Sequence, residues 1–208
     1  MLRNYTVRAF RADGPAGPEL DIDFVRHGSP DNGTAGPATI WAETCSPGDP
    51  AAILDEGVGF NPPDGTDQVI LVADETGLPA VAGILASLPA ETRGTALVEF
   101  PAADDRQELI KPDGLELRWV IRDDRAAVPG RAALAAAADL AVPTDCGYGW
   151  VVGEQALATG LRRLGSAPAW PRIGSCSAAT GALPDRGFSP RPFAVDRDRS
   201  RSVRRASR

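Results

Sequence analysis

The chain has one histidine (His27), one lysine (Lys111) and three cysteines, and Cys45, Cys146 and Cys176 lie far apart. So thin a set of imidazole and thiol groups offers no zinc-type spacing and no disulfide framework, and it suits a reducing compartment. No apolar run approaches the ~20 residues of a membrane span. Met1-Leu2-Arg3 leads directly into a strand pattern rather than a signal sequence, so a cytoplasmic protein with no membrane partner is expected. A nucleic-acid partner would need a basic surface, and the formal net charge is −6.

What is present is the make-up of an ordinary globular protein, 43% hydrophobic and 24% charged over 208 residues, enough for one large domain or two small ones. Charge is unevenly placed. Residues 1–163 carry 13 basic and 25 acidic side chains, whereas residues 164–208 carry nine Arg, three Asp and neither Lys nor Glu. The last stretch also lacks helix or strand periodicity and is expected not to pack.

The front reads as β-structure. Strands are expected at Tyr5–Phe10 and Leu20–Phe24 with a Gly/Pro-rich turn from Asp13 to Pro18, then a helix over 38–44, a short strand near Ala51–Leu54 and a linker at 61–65. From Gln68 the pattern changes. The continuous apolar run Gln68–Ala73 predicts a parallel strand buried on both faces. A helix over 76–87, strands at Gly94–Phe100 and Leu115–Ile121, a helix over 130–140, a strand at Tyr148–Val152 and a helix over 154–163 complete a β/α alternation. In such sheets ligands bind beyond the carboxyl ends of the strands. Four of those ends carry Asp74-Glu75-Thr76, Glu99, Arg122 and Gly153-Glu154.

Three segments carry chemistry. Arg3-Asn4-Tyr5-Thr6 puts Arg3 and Tyr5 on one face of a strand, where a guanidinium can grip phosphate oxygens in a bidentate pair. Asp23-Phe24-Val25-Arg26-His27-Gly28 is followed by Gly36-Pro37-Ala38-Thr39-Ile40-Trp41, a turn that opens a helix and leaves its first N–H groups for an anion. In Ala73-Asp74-Glu75-Thr76-Gly77-Leu78-Pro79-Ala80, Thr76 can cap a helix whose first turn tolerates Pro79.

In this order and spacing the segments resemble those of the siderophore-interacting protein family, NAD(P)H-dependent ferric-siderophore reductases related to ferredoxin reductase. The resemblance covers roughly Arg3 to Arg163 and departs at Ala73, where the family has glycine. It implies an α/β plus β fold. A partial Greek-key flavin-binding barrel would occupy residues 1–63, and a ferredoxin-reductase-like parallel-sheet NAD(P)-binding domain residues 68–163. It further implies FAD held by Arg3, Tyr5, Thr6, His27, Gly36, Pro37, Ala38, Thr39 and Trp41. NAD(P)H would be held by Asp74, Glu75, Thr76, Pro79, Gly153 and Glu154, and a ferric siderophore would be the substrate. No catalytic acid, base or nucleophile and no resident metal is expected, because the flavin does the chemistry and His27 serves binding or structure.

Both ends depart from the family. The family places several barrel strands before R-x-Y-[ST], which here begins at the third residue, so a front-truncated barrel is expected. Codons compatible with the letters from Leu164 onward, read two bases later, can spell a strand ending F-S-G-Y-W-R like the family's last. That reading makes 164–208 an out-of-frame, disordered tail, and it leaves an inactive remnant as the alternative to a working reductase.

Overall fold

The computed structural model describes residues 3–26, 28–125, 127–140, 147–164 and 172–177. Val7–Gly14 (β1) and Gly17–Ile22 (β2) form an antiparallel ribbon in which Gly14 pairs with Gly17. The reversal is confined to Pro15-Ala16, tighter than the Asp13–Pro18 stretch expected, so β2 begins and ends ahead of Leu20–Phe24. Pro18 is tolerated because a strand of a two-stranded ribbon has one edge without a ladder.

Pro37–Thr44 forms α1, close to the expected helix, with Pro37 in its first turn where no intrahelical partner for an N–H is needed. The strand expected near Ala51–Leu54 is not formed: residues 45–67 hold no regular element, and Ile53, Leu54 and Val58 are exposed. A strand is stable only beside another that takes up its N–H and C=O groups, and no described strand pairs with this segment.

The remaining elements are Gln68–Ala73 (β3), Leu78–Ser87 (α2), Arg93–Phe100 (β4), Leu115–Ile121 (β5), Arg131–Ala138 (α3), Gly147–Gly153 (β6), Gln155–Leu164 (α4) and Arg172–Ser177 (β7). The five strands β3 to β7 form one parallel sheet in the order β5-β4-β3-β6-β7. Here the tail expected to lack strand structure is corrected: residues 172–177 pair with β6 from Tyr148↔Arg172 to Gly153↔Ser177. A ladder is made by backbone groups, so a segment with no apolar periodicity can still extend an unpaired strand edge.

Alternation along the strands gives the sheet two apolar faces. Val69, Leu71, Ala73, Ala96 and Val98 pack against Leu78, Val81, Ile84 and Leu85 of α2. Ile70, Val72, Leu97 and Val151 pack on the other side against Ala133 and Ala137 of α3 and Leu157, Ala158 and Leu161 of α4. Burying each Leu or Val contributes about 1.5–3 kcal/mol relative to exposure, so both faces hold the sheet.

The front half joins this body through the chain before β3. Phe60 sits edge-on to Tyr148 and Trp150, with ring centroids 5.4 and 6.3 Å away, and the Trp150 indole N–H donates to the Gly59 carbonyl at 3.1 Å. Arg8 of β1 also donates to Gln107 Oε1 at 3.2 Å, beyond β4. The described residues thus give a parallel α/β sheet and a small antiparallel one, and two strands alone do not define a Greek key.

Candidate functional site

Two places gather the residues that sequence singled out. The first lies at the start of α1. Tyr5 packs on Phe24, with centroids 4.7 Å apart, and Phe24 packs on Trp41 at 5.8 Å, so the two motif segments of the front half meet through one aromatic row. Tyr5 and Trp41 each keep 43% of their surface exposed, which leaves ring area for a ligand. Partial burial raises the Tyr5 hydroxyl above the ordinary tyrosine range, with Arg3 acting in the opposite direction, so this hydroxyl stays neutral at physiological pH. Thr6 is exposed beside it, and Pro37 and Ala38 form the first turn.

Gly36 caps α1 with extended backbone and no side-chain hydrogen bond. The third helical residue, Thr39, is 2% exposed, and its Oγ1 has no hydrogen-bond partner. A buried hydroxyl without a partner costs about 1–3 kcal/mol. At an uncapped helix start it faces the same need as the first-turn N–H groups, and a phosphate oxygen meets both. The residues present therefore fit the pyrophosphate of FAD. The loop leading there is fixed by its own hydrogen bonds, Ser29 N–H to Thr34 Oγ1 at 2.9 Å and Thr34 N–H to Asn32 Oδ1 at 3.1 Å. Gly28, at φ +72°, opens this loop, and a Cβ on it would collide with the Thr34 carbonyl. His27 lies outside the described residues.

The second place is the carboxyl edge of the parallel sheet, where the chain leaves β3 toward β4 on one side and β6 lies on the other. Ala73 pairs with Val152, so Asp74 and Gly153 leave the sheet side by side. Asp74 is fully buried, and Oδ1 accepts from the Thr76 N–H at 2.9 Å and the Thr76 hydroxyl at 2.5 Å. Oδ2 accepts from the Glu154 N–H at 2.6 Å, so this one carboxylate joins the turn after β3 to the start of α4. Burial pushes the Asp74 carboxyl above the ordinary range, against the hydrogen bonds from Thr76 and Glu154 that favour the charged form. Gly153 has φ +139°, and a Cβ there would press into the Asp74 carboxylate. Pro79 is buried in the first turn of α2. Asp74, Gly153 and Pro79 are buried, while Glu75, Thr76 and Glu154 are half-buried at this edge.

Two strand-end residues that the sequence marked at this edge, but that have no place in the expected binding set, complete it. Glu99 ends the apolar run of β4 and is fully buried, accepting from the Gly130 N–H at 2.9 Å and the Ala133 N–H at 2.7 Å at the start of α3. Arg122 follows β5 and is 7% exposed. It donates to both oxygens of Glu75, at 2.8 and 2.7 Å, and to Glu99 Oε1 at 3.0 Å. Hydrogen bonds to Glu75, then to Glu99, raise the guanidinium above its ordinary range while burial opposes them. The available signal was a single carboxylate inside an otherwise apolar strand, which must find a cation or a helix start. Among the described residues no group of His, Cys, Asp and Glu could hold a metal ion.

A five-stranded parallel sheet covered on both faces, with the chain leaving its central strand in both directions, is a doubly wound α/β fold, a class in which ligands bind where the strand order reverses. The profile described as "Siderophore-interacting protein" matches residues 66–171, and that described as "Siderophore-interacting FAD-binding domain" matches residues 1–59. The solved structure of the siderophore-interacting protein SipS from Aeromonas hydrophila superposes with a TM-score of 0.67 at 30% identity, over 86% of this chain and 72% of that one. The ferric vibriobactin reductase ViuB of Vibrio cholerae is 32% identical over 127 residues, 61% of this chain and 44% of ViuB. The NADPH-dependent ferric-chelate reductase of Escherichia coli is 28% identical over 148 residues, 70% of this chain and 54% of that protein. The chain belongs to the siderophore-interacting protein family, and its first 59 residues match that family's FAD-binding domain. It spans less than half the length of ViuB.

Proposed function

We propose that the protein is a ferric-siderophore reductase that takes electrons from NAD(P)H, passes them through FAD and releases iron from its chelator as Fe(II). The observation that carries this reading is the buried, unpartnered Thr39 hydroxyl at the uncapped start of α1, inside the segment matched as an FAD-binding domain. When bound, the flavin supplies the conversion between a two-electron donor and one-electron acceptors. The chain's own residues bind and orient. Arg3 is the partner proposed for phosphate, Tyr5 and Trp41 the aromatic surfaces, and His27, Gly36, Pro37, Ala38 and Thr39 the rim of the flavin site.

At the sheet edge, Glu75, Thr76 and Glu154 are the residues proposed to meet NAD(P)H, on a frame fixed by Asp74, Pro79 and Gly153. The crevice needs no acid or base, because hydride and electron transfer move no proton that a side chain must supply. The substrate is a siderophore carrying Fe(III), in keeping with the family and with the name of ViuB. Among the described residues no helix is long and apolar enough to cross a membrane. A cytoplasmic location is part of the proposal, since NAD(P)H is the electron donor it names.

The test is Fe(II) formation from a ferric siderophore, trapped by a chromogenic Fe(II) chelator, with protein loaded with FAD and supplied with NADH or NADPH. Fe(II) should appear only when protein, FAD and nucleotide are all present. FAD-replete protein that oxidises neither nucleotide would contradict the proposal.

A further inference from the structure

An arginine at the carboxyl end of a strand, beside a nucleotide crevice, is a natural hand for a phosphate. In this protein Arg122 is already engaged. Its two terminal nitrogens grip both oxygens of Glu75, and Nη1 also reaches Glu99. Glu99 in turn occupies the start of α3, accepting from Gly130 and Ala133 where an anionic ligand would otherwise accept. Asp74 caps the turn before α2 through Thr76 and reaches the start of α4 through Glu154. Three carboxylates and one guanidinium therefore lace the three helix starts of the sheet edge together.

Building on the nucleotide reading above, we propose that Arg122 and Glu99 are positioning residues of the nucleotide site. They hold the Glu75-Thr76 turn in place by a relay from α3 through Glu99 and Arg122 to Glu75, without touching the nucleotide. The fork geometry matters as well as the charge. An ammonium carries three donors on one nitrogen and cannot reproduce the planar fork that spans both Glu75 oxygens while reaching Glu99.

The probe is NADPH, followed by its own fluorescence as it is titrated into FAD-loaded protein, with NADH in a parallel series. Arg122→Lys should move the midpoint up about tenfold, the scale of one hydrogen bond lost from the frame of the turn. The emission at saturation and the flavin absorption spectrum should stay those of the wild type, because neither ligand loses a contact. Glu99→Gln, which keeps the side chain's shape at a fully buried position outside the residues proposed to meet the nucleotide, should shift the midpoint in the same direction and serves where Arg122→Lys yields too little folded protein.

Unchanged midpoints in the folded variants would overturn the proposal. So would loss of NADPH binding with NADH binding intact in Arg122→Lys, since that pattern marks a direct phosphate contact. Wild-type protein that takes up FAD but neither nucleotide would instead remove the nucleotide reading, and this inference with it.

Discussion

The two halves of the chain bury their apolar side chains to very different degrees. Leu71, at the centre of the parallel sheet, is fully buried, whereas Phe10 on the front ribbon is 62% exposed and Val58 before the sheet is 86% exposed. The cause is topological. Helices cover β3, β4 and β6 on both faces, so the alternating side chains of these strands find partners whichever way they point. A two-stranded ribbon has no second layer of its own and is marginal alone. The rear half is held by its own packing, and the front ribbon leaves much of its apolar surface uncovered.

The comparison can be broken most forcefully at the sheet edge. Glu99→Ala would strip two N–H groups at the start of α3 of their acceptor and leave Arg122 short of a carboxylate. A loss of about 3–5 kcal/mol in denaturant unfolding is expected, as when one partner of a buried pair is removed. Next comes Leu71→Ala, expected to cost about 2–5 kcal/mol by opening a cavity. The matching front-half change, Phe10→Ala, should stay within about 0.5 kcal/mol, as for a surface substitution. Equal losses at Leu71 and Phe10 would erase the distinction between the halves.

Gly153→Ala tests the frame rather than the core. At φ +139° and against the Asp74 carboxylate, alanine should cost about 1–3 kcal/mol of strain, read as a lowered melting temperature. A smaller, pH-dependent effect belongs to Asp74. Its carboxyl is raised in the folded state, so between the ordinary Asp range and that raised value the folded protein holds more protons than the unfolded chain. Its contribution is fully present below the ordinary range and is lost as pH rises through the folded pKa. Unfolding free energies of wild type and Asp74→Asn across acid to neutral pH should therefore diverge in the wild type's favour toward the acid end. The opposite slope would mean that hydrogen bonding, not burial, dominates.

The smallest effect is expected in the front ribbon. Arg11 pairs with Asp21 at 2.6 Å and with Glu19 at 3.1 Å, yet in the open, where water and salt screen both pairs. Arg11→Ala should leave the melting temperature unchanged within error.

The rear half was legible because its cues are local. Gln68–Ala73 reads as a buried parallel strand from its letters alone, and β5 at Leu115–Ile121 falls on the expected residues. The convergence of Asp74, Thr76, Gly153 and Glu154 followed from strand ends sharing one edge. The roles did not follow, because whether a carboxylate faces a ligand or a neighbouring N–H depends on tertiary register. That the Asp74 carboxylate bonds two turns could not be read from the letters around it. Glu99 and Arg122, 23 residues apart, meet only when β4 and β5 pair. The failed strand at 51–54 and the unexpected β7 at 172–177 teach one lesson from opposite sides: whether a segment becomes a strand depends on having a neighbour as much as on its letters.

The most direct test is hydrogen exchange of the purified chain alone, with FAD, and with FAD plus NADPH. In the free protein, amides of β3, β4 and β6 should exchange far more slowly than those of β1 and β2. FAD should protect residues 3–6 and 36–41, and NADPH should add protection at 74–76 and 153–155. Protection that appears elsewhere, or a front ribbon as slow to exchange as the parallel sheet without any ligand, would contradict the account.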